Sequence, residues 1–292
     1  MKAFIEYLKT EKHKAENTLI AYGRDLSAFE SFLLARNDKG LSDCEDSDAV
    51  AYILSLNKTN KSKATINRKI SAIRAYYDYL VVNGKRKDNP FDKIKSARID
   101  TRQIDYLSVE EAAQLMDLPA ESFRGLRDKA LLEFMYGTGA RVSEVVRIKY
   151  EDINLKMNFA TIREGNSESR IVPIGSHLHN ALSRYFEEAY PSFKGGRPEP
   201  GDYVFINSRG GCLTRQGIWR LLRDYGEMIG AGERMSPQIL RDTFAVHILQ
   251  NGGDIRTLQE LMGFDNMSVG LAYLAVIDIH VREVYKKTHP RA

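Results

Sequence analysis

The stretch Leu261-Met-Gly-Phe-Asp-Asn-Met-Ser-Val-Gly-Leu-Ala-Tyr273 sets a lone tyrosine ten residues after a glycine turn. Working outward from it, two arginines stand in distinctive frames. One is in Ser236-Pro-Gln-Ile-Leu-Arg241-Asp-Thr-Phe-Ala245, the other in Thr138-Gly-Ala-Arg141-Val-Ser-Glu144. Guanidinium groups stay charged at any ordinary pH and present paired donors that match non-bridging phosphate oxygens. A tyrosine hydroxyl can attack phosphorus. Two arginines and one tyrosine are a minimal kit for cutting a phosphodiester without a metal. The plain alternatives are that Arg141 pairs with Glu144 at a helix start, that Arg241 pairs with Asp242, and that Tyr273 packs as Tyr76, Tyr77 and Tyr79 do in their helix.

The periodicity around these motifs gives a mainly α chain with a small β-sheet. Apolar residues recur at helical spacing in Phe4–Leu8, Leu19–Leu34, Val50–Leu56 and Ile66–Val81, which predicts a four-helix N-terminal bundle. Lys63-Ala-Thr65 starts the fourth helix and Asn83-Gly84 ends it. Asn89-Pro90 then breaks the pattern, because the residue before proline disfavours helix. The basic, weakly periodic segment 91–106 is the linker, between an N-terminal domain over 1–90 and a second domain over 107–292. The second domain opens on Ser108 with Glu111 three residues on, a capping-box signature. Helices are expected near 109–117, 124–137, 141–146, 176–190, 214–230, 237–251 and 254–262. Between them, Asn158–Arg163 alternates and Arg170–Ile174 follows after Glu164-Gly165-Asn166, which reads as a β-hairpin.

Composition excludes several classes. With 43% hydrophobic and 28% charged residues over 292, the chain is an ordinary globular one, long enough for two domains. No apolar run approaches the roughly 18 residues of a membrane span. The start, Met1-Lys-Ala-Phe-Ile-Glu-Tyr-Leu, reads as an amphipathic helix rather than a signal peptide. Two cysteines, Cys44 and Cys212, are too few for a disulfide framework, so a cytoplasmic location is expected. His177 and His179 are not spaced to face one metal, His247 is read as packing or facing solvent, and Arg209-Gly-Gly211 lacks the lysine of a phosphate loop. Neither metal nor cofactor is implied. Net charge is only +4, but residues 1–95 carry 18 Lys/Arg against 13 Asp/Glu. From Lys58 to Arg74 there is no acid at all, so this helix is a candidate phosphate-tracking surface. Lys61, Lys63, Thr65, Arg68, Lys69 and Arg74 are the DNA-contact candidates.

The chain resembles the tyrosine recombinases of the Xer and phage-integrase kind over essentially its whole length. The resemblance rests on Thr65-Ile-Asn-Arg-Lys-Ile-Ser-Ala-Ile-Arg74, on the two arginine motifs, and on the spacing from Met262-Gly263 to Tyr273. It implies an N-terminal SAM-like core-binding bundle plus an α+β catalytic domain, closing on double-stranded DNA. It implies site-specific strand cleavage and rejoining through a 3′-phosphotyrosyl intermediate, with Arg141 and Arg241 as phosphate clamp and Tyr273 as nucleophile. A final helix over Val276–Val284 would dock on a neighbour, giving a tetramer on two sites, as a homo-oligomer or with a second recombinase.

Three positions depart from the family pattern. Gln238 stands where a histidine precedes the second arginine by three, and Phe264 where histidine or tryptophan follows the glycine. The hairpin turn, 164–168, holds no lysine. An active divergent recombinase is expected; the alternatives are a silent DNA-binding subunit and a type IB topoisomerase-like enzyme.

Overall fold

A computed structural model describes residues 1–59, 61–97, 104–163, 169–264, 266–267 and 269–277. It divides into two compact units, Met1–Arg102 and Gln103–Ala292. The predicted hairpin turn at 164–168 and most of the predicted last helix lie outside the described residues.

The first unit is four helices: α1 (Lys2–Thr10), α2 (Glu16–Asn37), α3 (Asp46–Asn57) and α4 (Lys63–Val82). The start of α4 is set by Ser62, whose hydroxyl accepts the Thr65 amide hydrogen at 3.2 Å, satisfying one of the orphan donors of a first turn. Its apolar stripe, Ile66, Ile70, Ile73 and Tyr77, meets Phe4, Leu26, Phe29 and Leu33 in one core. Phe91, in the segment expected to be linker, is fully buried in that core. It stacks on Tyr77 at 5.9 Å. Asn67 then grips Ala97 through both its amide hydrogen and its carbonyl, so the chain remains tied to α4 as far as residue 97.

The second unit holds α5 (Val109–Asp117), α6 (Phe123–Thr138), α7 (Val142–Val145), β1 (Ile153–Asn154), β2 (Phe159–Ile162), β3 (Arg170–Pro173), α8 (Ser176–Arg184), α9 (Tyr190–Lys194), α10 (Arg215–Met228), α11 (Pro237–Gln250) and α12 (Ile255–Met262). Residues 269–277 are helical as well. The predicted capping box is present: Ser108 Oγ accepts from Glu111 N–H at 3.1 Å and Glu111 Oε2 from Ser108 N–H at 2.8 Å. Helix α11 begins at Pro237 after Ser236, whose hydroxyl accepts from the Ile239 N–H. The expected single helix over 176–190 instead passes through a π-helical turn, Tyr185–Ala189, into α9. The extra residue in that turn lets Tyr185, Phe186 and Tyr190 all turn inward.

The sheet is antiparallel, in the order β1-β2-β3. Its first strand, two residues long, is too short to leave a periodic signal. Ile162 lies opposite Arg170 and Ala160 opposite Val172. Since cross-strand partners share a face, Arg170 points inward with Ile162, Ala160 and Val172, all at most 1% exposed. Ile171, on the other face, is 65% exposed. Among the described residues, no helix is long and apolar enough to cross a membrane.

Candidate active site

Two helix ends build the site. Helix α6 ends at Gly139, φ +58°, a left-handed conformation that glycine adopts without strain. A β-carbon there would lie 2.5 Å from the Phe244 ring. The sharp exit makes Arg141 the N-cap of α7, with Glu144 three residues on. Helix α12 ends at Gly263, φ +61°, where a β-carbon would meet the Arg170 guanidinium at 3.1 Å.

Three successive carbonyls at that second end each take a different arginine. Leu261 O accepts from Arg170 Nε at 2.7 Å, Met262 O from Arg241 Nη2 at 2.7 Å, and Gly263 O from Arg141 Nη2 at 3.2 Å. The Arg241 Nη1 also donates to Gly139 O, so one guanidinium spans both helix ends. Glu144 is the counter-charge. It accepts two parallel bonds from Arg170, at 2.7 and 2.8 Å, one from Arg141 Nη1 at 3.3 Å, and the Arg141 amide hydrogen at 2.6 Å.

The electrostatics follow from this packing. Burial by itself would raise the Glu144 carboxyl; the hydrogen bonds and charge of Arg170, then those of Arg141, more than offset it and hold it below the ordinary glutamate range. Arg241, 6% exposed, is pushed down to about 10, first by burial and then by the Arg141 cation. Arg170 acts in the same direction, while Glu144 and Tyr273 oppose. Arg241 remains charged at pH 7 and would gain from an anion, since each neighbouring cation disfavours its charge.

Tyr273 reaches the site from the helical segment 269–277 and is 5% exposed. Its hydroxyl donates to Asp242 Oδ1 at 2.7 Å, and Gln238 Nε2 donates to the same oxygen at 2.8 Å. Phe264 is buried, with its ring 3.2 Å from where a β-carbon of Gly270 would stand. An aromatic ring here packs the tyrosine-bearing helix and offers no proton. Sequence reasoning therefore brings Arg141, Arg241, Tyr273, Gln238 and Phe264 to one place. In the sequence, Glu144 and Asp242 stood only as ordinary ion-pair partners of Arg141 and Arg241. Arg241 turns away from Asp242, its helix neighbour, toward the carbonyls. The Arg141–Glu144 pairing weighed as a plain alternative is real, and it coexists with the Arg141 bond to Gly263. His247 is buried: its Nε2 donates to Leu107 O at 3.0 Å and its Nδ1 accepts from Tyr136 Oη at 3.0 Å.

The basic helix of the first unit needs correcting as a uniform phosphate-tracking face. Lys69 is 8% exposed and its ammonium donates to Asp25 at 2.8 Å; Arg68 pairs with the other Asp25 oxygen. The acid that the run itself lacks is supplied by α2. Lys69 falls beside Ile66, Ile70 and Ile73 on the core stripe, where an unpaired charge would be costly. Arg74 donates to the carbonyls of Phe91 and Ile94 and so fastens the chain after α4. Lys61 and Lys63 are exposed, and Thr65, half-buried, bonds Ser62.

Comparison with known proteins adds the following. Residues 105–279 match the phage integrase family, and residues 1–84 match the phage integrase N-terminal SAM-like domain. A putative tyrosine recombinase of Caldanaerobacter subterraneus subsp. tengcongensis is 39% identical over 294 residues, covering 99% of this chain and 97% of that one. Tyrosine recombinase XerD of Listeria innocua serovar 6a is 36% identical over 293 residues, covering 99% and 98%. Among solved structures, the Tn1549 transposon integrase in complex with transposon right end DNA superposes with a TM-score of 0.76 at 18% identity, covering 98% of each chain. The XerA recombinase gives 0.55 at 27% identity, covering 99% and 97%.

Proposed function

Since this chain belongs to the phage integrase family and is a tyrosine recombinase that breaks and rejoins DNA strands, we propose how its own residues carry that reaction. Arg141 and Arg241 hold the scissile phosphate, and Tyr273 attacks it to give a 3′-phosphotyrosyl intermediate. Arg241 uses two of its five N–H groups on carbonyls among the described residues, which leaves donors for phosphate oxygens. In the five-coordinate transition state the extra negative charge meets donors already in place. The phosphotyrosyl bond keeps the energy of the cleaved bond for religation. The observation that carries this reading is that Tyr273, 32 residues from Arg241 in sequence, is buried against Asp242, the residue after Arg241 on α11, with its hydroxyl 2.7 Å from Asp242 Oδ1.

The active site in this proposal is atypical for its family, with Gln238 and Phe264 in place of proton-carrying side chains. Similarity to recombinases over nearly the whole chain does not favour the silent-subunit alternative. The partner is a double-stranded recombination site, met by a tetramer on two such sites, of this chain alone or with a second recombinase. In the first unit, Lys61 just before α4 and Lys63 and Thr65 in its first turn are the contact candidates kept.

The test is a nicked suicide duplex built on the sequence that the full-length protein selects from random DNA. Wild type is expected to give a protein–DNA adduct on a denaturing gel. Tyr273→Phe is expected to give none while binding the duplex within about threefold, a loss of under roughly 0.7 kcal/mol. An adduct that survives in Tyr273→Phe would remove Tyr273 from the reaction.

A further inference from the structure

Resting on that reading of Tyr273, we propose that Asp242 is a catalytic residue, the group that accepts the phenol proton as the tyrosine attacks and returns it when the strand is rejoined. A phenol with a pKa of roughly 10 is a poor nucleophile at neutral pH, so its proton needs a destination. Among the described residues, Asp242 Oδ1 accepts a hydrogen bond from the phenol at 2.7 Å. An ionised carboxylate can only accept, so the bond is set in the direction of transfer. The accepting oxygen is fixed from a second side by Gln238 Nε2 at 2.8 Å. Gln238 and Asp242 stand four residues apart on α11, the spacing that makes side chains neighbours on one helix face.

Asp242 is 1% exposed, so bulk water does not compete for the bond. The charged and titratable groups gathered here are Tyr273 from 269–277, Arg241 beside Asp242 on α11, Arg141 and Glu144 at the start of α7, and Arg170 on β3. The histidine farther along α11, His247, is engaged with Leu107 and Tyr136 and is not the acceptor.

The Tyr273 Oη–phosphorus bond forms and the bond from phosphorus to the 5′ oxygen breaks. The phenol proton moves to Asp242 Oδ1, and the departing 5′ oxygen takes a proton from solvent water. Religation runs the same transfers in reverse. Gln238, a positioning residue, holds the carboxylate in line.

The experiment uses full-length protein and the nicked duplex above, with an ordinary 5′ oxygen or with sulfur bridging at that atom. A sulfur leaving group needs no proton, so it relieves defects in leaving-group protonation and leaves defects in nucleophile deprotonation unrelieved. Asp242→Asn keeps an oxygen for both hydrogen bonds and removes the proton acceptor. Adduct formation is expected to slow about 10²- to 10⁴-fold, the usual contribution of a general base. Duplex binding should persist, sulfur should give no rescue, and the fall in rate toward acid expected of wild type should be gone. Gln238→Leu is expected to move that fall to higher pH, because loss of a donor to the charged form favours protonation.

An Asp242→Asn rate within threefold of wild type, or faster, overturns the assignment, and so does rescue by sulfur. If Asp242→Asn does not fold, Gln238→Leu decides, and an unmoved profile overturns the assignment. A wild type that forms no adduct, or a Tyr273→Phe that does, instead overturns the nucleophile reading beneath it.

Discussion

Replacing Glu144 by alanine removes the carboxylate on which Arg141 and Arg170 both close. Glu144 is 3% exposed, and it holds Arg170 through two bonds of 2.7 and 2.8 Å. Breaking a buried pair by deleting one partner costs about 3–5 kcal/mol, because the other charge remains behind. The same carboxylate takes the Arg141 amide hydrogen at 2.6 Å, a cap worth about 1 kcal/mol. Neighbouring contributions overlap, so the expected loss is about 4 kcal/mol. In a unit of this size that lowers Tm by about 8–16 °C. Calorimetry on the full-length protein measures it on the transition of the second unit.

Glu144→Gln keeps the shape and one acceptor, and should fall between wild type and alanine. The double variant Glu144→Ala/Arg170→Ala should be less destabilised than the sum of the singles, since it strands one cation fewer. The sign with pH is fixed as well. The folded carboxyl lies below its ordinary value, so its stabilisation is complete above about pH 4.3 and is lost as pH falls through the lower folded value. The gap between wild type and Glu144→Ala should therefore close in acid. A Glu144→Ala drop under about 3 °C near neutral pH, roughly 1 kcal/mol, would refute the view that this carboxylate neutralises the arginine cluster.

Two further perturbations test the frame around the site. Gly139→Ala forces a β-carbon into a left-handed position and onto the Phe244 ring; strain of about 1–2 kcal/mol plus overpacking of about 1–3 kcal/mol should lower the urea midpoint, and an unchanged midpoint would contradict the contact. His247 is held below its ordinary range first by burial, against the opposing pull of the Leu107 carbonyl and Glu110. The fold thus favours its neutral form, and that stabilisation is present above about pH 6.5 and lost as pH falls toward the folded value. His247→Gln should flatten the stability curve between pH 7 and 5, and an equally steep curve in the variant would show that another group titrates.

The sequence made the helices legible where a polar start precedes an apolar stripe, as at Lys63-Ala-Thr65 and Ser108. It made β2 and β3 legible through alternation. It could not show the π-helical turn at Tyr185–Ala189, because one inserted residue leaves the apolar spacing helical on both sides. Nor could it show β1, whose two residues carry no period. In the site, motif spacing sufficed for Arg141, Arg241 and Tyr273, which stand in local frames. The partners were hidden for a physical reason. Asp25 neutralises Lys69 from another helix, and Glu144 binds Arg170 across 26 residues, so neither pairing has a local signature. Gln238 and Asp242 could have been noticed as an i,i+4 pair. What joins them to Tyr273 is the fold of the chain across a separation of 31 residues from Asp242.

The three carbonyls at the end of α12 are also the negative pole of that helix. Leu261, Met262 and Gly263 thus offer the arginines partial negative charge on one peptide turn. A phosphate held by Arg141 and Arg241 would meet guanidiniums already tied to that turn. Its affinity and the placement of the turn are then two sides of one equilibrium, and reciprocity requires that each shift the other equally. Tension on the chain leading to Tyr273 would be felt as weaker or stronger hold on the DNA backbone. A shift of this one turn would therefore change the grip on phosphate and the placement of the tyrosine together.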